Sequence, residues 1–256
     1  MNKKFHGIIA AMVTPMDAEE TVNLSELRHQ TDRLIGAGIH GLFCLGTNGE
    51  AYVLEKKEKL EIIRNVAEQA NGRVPVLAGT GCVSTKASAA LAREAEKLGA
   101  DALSVISPWF AAASQEELYR HFMTVADSVQ IPVFLYNIPA RTGVNLSVET
   151  VSRLAQAGNI AGIKDSSGNF DQILQYIEAT PSDFTVLSGN DSLVLWTLQA
   201  GGKGGICGIA NLFPETMVSI YELWKQGRFE EAKKVQDSIR AIRNLFRLGN
   251  PNTIVK

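Results

Sequence analysis

The chain has 256 residues, of which 45% are hydrophobic and 20% charged, the balance of a globular protein able to bury a sizeable core. Its 25 basic residues nearly cancel its 27 acidic ones, leaving a net charge of -2, and no stretch concentrates lysine and arginine as nucleic-acid binding requires. No apolar run is long enough to span a membrane.

The opening segment, MNKKFHGIIAAMVTPMD, lacks the long apolar region and small-residue cleavage site of a secretory signal. From there one rhythm dominates. Short apolar runs end in Gly, Thr, Asn, Ser or Pro, and stretches of helical periodicity follow. The runs occupy 7–15, 41–50, 74–81, 102–108, 133–139, 160–168, 184–191 and 204–211. None alternates strictly, as expected of strands buried on both faces of a parallel sheet.

Between them, LSELRHQTDRLIGAG sets Leu24, Leu27, Thr31, Leu34 and Ile35 on one stripe and stops at glycine. STKASAALAREAEKLGAD ends at Gly99, a helix stop. Ser114 followed by Glu117 reads as a capping box. Eight strand–helix units within about 210 residues fit a closed (β/α)₈ barrel. An open doubly wound sheet would normally carry a glycine fingerprint after its first strand, and AAMVTPMDAEE has none. The expected organisation is a barrel over residues 1–214, then the start of a helical extension over 215–256, packed on the barrel. Two helical stretches are expected there, PETMVSIYELWKQG and FEEAKKVQDSIRAIRNLFRLG, and another helix begins at NPNTIVK.

The three cysteines, Cys44, Cys82 and Cys207, are odd in number, far apart and set in apolar sequence. They read as reduced thiols of a cytoplasmic protein. GGKGGICG and GTGCVS miss the G-x-G-x-x-G pattern, and no Walker loop, HExxH or paired-cysteine motif occurs. Neither a metal nor a nucleotide cofactor is expected.

A barrel enzyme works at the carboxyl ends of its strands, which makes the strand-end residues the shortlist. Lys164 closes the sixth run, AGIKDSSG. Among apolar side chains an ammonium carries a desolvation cost, which favours the neutral amine that attacks a ketone to form a Schiff base. A solvated lysine, or one paired with Asp165, is the alternative. Tyr136 can relay protons, and the Thr47 hydroxyl can receive and pass them. Each also has a plain structural reading, as a core aromatic or a turn residue. The Gly-Thr-Asn-Gly turn at 46–49 offers backbone N–H groups to a carboxylate, and Arg141 could clamp another.

Taken together, GTNGE, LYNIPARTG, GIKDSSG, SGND and GGKGGICGIAN, in this order, resemble the dihydrodipicolinate synthase and N-acetylneuraminate lyase family, from about residue 5 onward. The resemblance implies a (β/α)₈ enzyme that forms a Schiff base between Lys164 and pyruvate. It implies that Tyr136 relays protons and that Thr47 hydrogen-bonds this tyrosine. Asn48, Gly189 and Ile206 stand at substrate-binding positions, Asn48 where a second threonine usually holds the pyruvate carboxylate. Arg141 matches the arginine that holds aspartate semialdehyde in the synthases. The implied activity is condensation of pyruvate with that aldehyde. Release of pyruvate from a 2-keto-3-deoxy or N-acetylneuraminate-type sugar acid is the alternative, and a non-catalytic pyruvate or sugar-acid sensor is a third possibility.

Two departures stand out. The synthases carry paired tyrosines after the fourth strand, the second reaching a neighbouring subunit's site. Here the segment reads Pro108-Trp109-Phe110, without that hydroxyl. Where lysine-inhibited synthases bind lysine, this chain has Ala51, Lys56, Val83, Ala87 and Trp109, so no inhibition by lysine is expected. The resemblance also implies a homo-oligomer, a dimer of dimers. Family members tend to run longer, so the stop at Lys256 reads as a shortened C-terminal helical region.

Overall fold

Each of the eight apolar runs contains a strand in the computed structural model, which describes residues 5–256 apart from the side chain of Arg247. The strands are β1 (Gly7–Ala11), β2 (Gly41–Cys44), β3 (Val76–Gly79), β4 (Ala102–Ile106), β5 (Val133–Asn137), β6 (Ile160–Asp165), β7 (Thr185–Ser188) and β8 (Gly204–Cys207). They pair in sequence order, and β8 returns parallel to β1, so the sheet closes into a barrel. The strands are shorter than the runs because the trailing Gly, Thr, Asn and Ser residues turn the chain at the carboxyl ends.

Alternation of side chains sorts each strand into two layers. Ile9, Phe43, Leu77, Ala102, Phe134, Leu187 and Ile206 fill the barrel interior. Their neighbours Ile8, Leu42, Val76, Leu103, Val133, Val186 and Cys207 pack outward beneath the helices. Both faces are apolar, which is why no alternation shows in the sequence.

The helical stretches form as their caps dictate. Asn23 caps the helix Leu24–Gly36 by accepting from Glu26 N–H, and this helix buries Leu27, Thr31 and Leu34. Ser114 and Glu117 form a reciprocal capping box at the start of Gln115–Ala126. The helix Thr85–Lys97 is followed by Gly99 at φ 91°.

The stretch expected as one helix over 229–249 is instead broken. Phe229–Ser238 stops at Ile239, and a separate helix, Arg240–Leu245, follows. Two features accompany the break. Ile239 is only 1% exposed, and the Ser238 hydroxyl donates to the Val235 carbonyl at 2.7 Å, a back-bond that bends helices. Gln236 fixes the preceding turn to the barrel, accepting from Leu195 N–H at 3.0 Å and donating to the Asp191 carbonyl at 2.9 Å. The chain thereby crosses the barrel mouth and ends in the short helix Pro251–Val255, capped by Asn250.

Candidate active site

Lys164 and Tyr136 are register partners on β6 and β5, and both point into the barrel. Lys164 is 4% exposed. Its Nζ lies 4.1 Å from the Tyr136 ring centroid and 4.9 Å from that of Phe43. The Phe43 and Tyr136 rings stand edge to face, 6.3 Å apart at 84°. The Tyr136 hydroxyl meets Thr47 Oγ1 at 3.1 Å. An amine, a phenol and an aliphatic hydroxyl thus converge at the carboxyl end of the barrel, with aromatic faces around the amine.

Asp165 does not pair with this lysine. As the next residue on the strand it points the opposite way, where it is fully buried. Its Oδ1 accepts from Asn137 Nδ2 at 2.8 Å and Gln172 Nε2 at 3.3 Å, and its Oδ2 from Ser167 Oγ at 2.6 Å and Ser167 N–H at 3.2 Å. Burial raises its pKa, and the Ser167 and Asn137 hydrogen bonds oppose that rise. Asn137, also at a strand end, belongs to this outer network. Neither residue reaches the cavity.

All seven residues that the sequence nominates line one cavity of about 750 Å³: Thr47, Asn48, Tyr136, Arg141, Lys164, Gly189 and Ile206. Thr47 and Asn48 are half-buried, and Arg141 is exposed at the rim. Gly189 has a steric duty. A Cβ there would stand 1.9 Å from Ser166 Oγ and 2.9 Å from Lys164 Cε, so its bare backbone makes room for the lysine chain.

Other residues around the amine and the cavity were given no role by sequence reasoning, Asp191 among them although SGND placed it at a strand end. Phe43 reads as a core residue and is one, yet it also walls the amine. Asp191 is 3% exposed, its pKa raised by burial and pulled back by Arg243, whose Nη1 lies 3.6 Å from Oδ2. Arg240, Arg243 and Asn252 arrive from the C-terminal segment, which no strand-end rule could nominate. Arg141, Arg240 and Arg243 face this space against Asp191 as its one lining carboxylate among the described residues. The charge favours anionic ligands.

The remaining titratable groups lie elsewhere. Cys44, Cys82 and Cys207 are free thiols; burial pushes Cys44 up to about 12 and raises Cys82 and Cys207 as well. Among the described residues, no group of three or more His, Cys, Asp or Glu side chains is placed to hold a metal ion. No helix there is long and apolar enough to cross a membrane.

Comparison with known proteins decides the family. The model of the dihydrodipicolinate synthetase family matches residues 4–256. The chain belongs to this family. It is 40% identical over 248 residues to 4-hydroxy-tetrahydrodipicolinate synthase 1 of Halalkalibacterium halodurans, covering 96% of this chain and 84% of the relative. It is 41% identical over 254 residues to the 4-hydroxy-tetrahydrodipicolinate synthase of Methanopyrus kandleri, covering 98% and 85%. Among solved structures, a dihydrodipicolinate synthase of Bacillus anthracis superposes with a TM-score of 0.93 at 34% identity, covering 96% of this chain and 84% of that one. YagE of E. coli K12, a prophage protein of the same family solved with pyruvate, gives 0.95 at 34% identity, covering 98% and 86%. Membership in the dihydrodipicolinate synthetase family makes the chain a Schiff-base-forming lyase with small-molecule substrates.

Proposed function

We propose that the enzyme condenses pyruvate with aspartate semialdehyde through a Schiff base on Lys164. The observation that carries this reading is the buried Lys164 amine beside the Tyr136–Thr47 hydroxyl pair. Unprotonated Nζ attacks the pyruvate carbonyl carbon, forming the C–N bond while the carbonyl oxygen takes up a proton. Loss of that oxygen as water leaves the iminium, which draws electrons from the adjacent methyl. Tyr136 delivers and removes the protons, and Thr47 passes them on. The resulting enamine carbon attacks the aldehyde carbon, whose oxygen takes up a proton, and displacement of the restored iminium by the aldehyde substrate's own amine or by water frees Lys164. The turn at 46–49 and Asn48 hold the pyruvate carboxylate, with Gly189 and Ile206 bounding the substrate, while Arg141 holds the carboxylate of the second substrate. No metal or nucleotide takes part.

A second reading has its own observation. Asn48, Ser166, Asp191 and Ser192 present a polar wall to the same cavity, which suits the hydroxyls of a 2-keto-3-deoxy sugar acid. Pyruvate would then be the product released by cleavage.

Borohydride reduction in the presence of pyruvate tests the shared step. Intact mass and peptide mapping are expected to find one pyruvate-sized adduct at Lys164, absent in Lys164→Ala. Failure to trap an adduct, with pyruvate binding unchanged in the alanine variant, would sink the Schiff-base reading. Assays of aspartate semialdehyde condensation against sugar-acid cleavage then separate the two substrates.

The self-association expected of the family is also proposed here. Phe110 on the loop after β4 is 99% exposed. Beside the main cavity lies a second one of about 350 Å³, lined by Tyr52, Trp109, Ile106, Tyr136, Thr47 and Arg141. Its apolar wall suits an aromatic ring from a second copy.

A further inference from the structure

The turn carrying Thr47 is strained. Leu45 (φ 59°) and Glu50 (φ 52°), which bracket it, both lie in the left-handed region although neither is glycine. A non-glycine residue persists in that region only where its surroundings hold it. One hold is steric: a Cβ on Gly79 would stand 2.0 Å from the Leu45 carbonyl oxygen, so the two backbones meet closely only because Gly79 has none. Another comes from the loop after β1, where the Thr14 hydroxyl donates to the Gly49 carbonyl at 2.7 Å.

The third hold comes from some two hundred residues away. Asn252 Nδ2 donates to the Thr47 carbonyl at 2.9 Å and to the Tyr52 hydroxyl at 3.4 Å, and Lys256 Nζ pairs with the Glu50 carboxylate. Asn252 is 5% exposed. Its own backbone N–H donates to Asn250 Oδ1 at 3.1 Å, which fixes the start of the helix and the direction of the amide. The Thr47 carbonyl also accepts from Glu50 N–H at 3.1 Å. The turn therefore keeps an internal bond without Asn252, and what Asn252 adds is a tether to the barrel's cover.

We infer that Asn252 is a positioning residue of the proton relay: by holding the Thr47 main chain it keeps the Thr47 hydroxyl against Tyr136. The inference rests on the Schiff-base reading and extends it. Asn252 acts through Thr47, since its amide hydrogens are directed at Thr47 and Tyr52. Misplacing a catalytic group by a fraction of an ångström slows proton transfer while leaving ground-state binding largely intact.

The test compares wild type with Asn252→Ala, Asn252→Asp, Asn252→Gln, Thr47→Ala and the double variant Thr47→Ala/Asn252→Ala. The readouts are the rate of borohydride trapping at saturating pyruvate, the half-saturating pyruvate concentration and the thermal midpoint. Asn252→Ala and Asn252→Asp are expected to slow trapping by about 10- to 100-fold, with half-saturation within about twofold of wild type. Asn252→Gln, which restores a donor, is expected to recover part of the rate. The double variant is expected to be no slower than Thr47→Ala alone, because both changes act on one device. Wild-type trapping rates in Asn252→Asp, or losses that multiply in the double variant, would overturn the inference alone. Unfolding of both the alanine and the isosteric aspartate variants would assign Asn252 to stability and overturn it too. No adduct in wild type would remove the Schiff-base reading, and the inference with it.

Discussion

Lys164 and Asp165 are neighbours in sequence with opposite surroundings. The strand's period of two sends the amine into the cavity and the carboxylate into a network with Asn137, Gln172 and Ser167. The lysine was legible because a strand-end position and an apolar approach are both local properties. The role of Gly189 was only half legible, since SGND marks a strand end but cannot show that Lys164 Cε would sit 2.9 Å from a Cβ there. Ser166 Oγ, at 1.9 Å from the same point, is the more severe clash, so in Gly189→Ala the Ser166 side chain must rotate away and the Lys164 chain must give. Pyruvate trapping in that variant is expected to slow by about 100-fold, with the thermal midpoint measured alongside. Trapping at the wild-type rate would show that the lysine chain reorients freely.

At the scale of elements, both faces of every strand are apolar, and that made the eight strands legible. The break at Ile239 was not legible, because a helical period shows neither the burial of Ile239 nor the Ser238 hydroxyl bonding back to the Val235 carbonyl. His121 is a similar case. It lies in the helix Gln115–Ala126, turned inward at 3% exposure, with Nδ1 2.9 Å from Thr85 Oγ1. Burial lowers its pKa from 6.5 to about 4. The folded protein therefore holds His121 neutral while the unfolded chain takes up a proton below pH 6.5. The associated stability is complete above that pH and is lost as pH falls toward 4, by about 1.4 kcal/mol per pH unit. Chemical denaturation at pH 7.5 and pH 5 is expected to show wild type losing about 2 kcal/mol more than His121→Gln. Equal losses would place the imidazole in a setting that tolerates its charge.

For the whole molecule, the barrel mouth presents an unbalanced surface. Tyr52, Val53, Val83 and Phe110, at 53%, 63%, 52% and 99% exposure, sit on the loops that follow β2, β3 and β4. Phe110 also holds φ at 80°, a conformation that costs a non-glycine residue about 1–3 kcal/mol. Strain spent on displaying an aromatic ring to water has no return within one chain. It acquires one if a second copy's cavity, walled by Tyr52, Trp109 and Ile106, receives the ring, because burying a phenylalanine side chain contributes roughly 1.5–3 kcal/mol. Under the proposed self-association the Phe110 ring would join subunits without the hydroxyl that the resemblance assigns to the synthases' relay. Sedimentation velocity at micromolar protein is therefore expected to give an oligomer for wild type and smaller species for Val53→Glu and Phe110→Ser. In Phe110→Tyr the assembly should persist, and any rise in turnover would then report the restored hydroxyl rather than a change in assembly. A wild-type monomer, or an oligomer indifferent to both polar substitutions, would mean that the exposed patch serves some other contact.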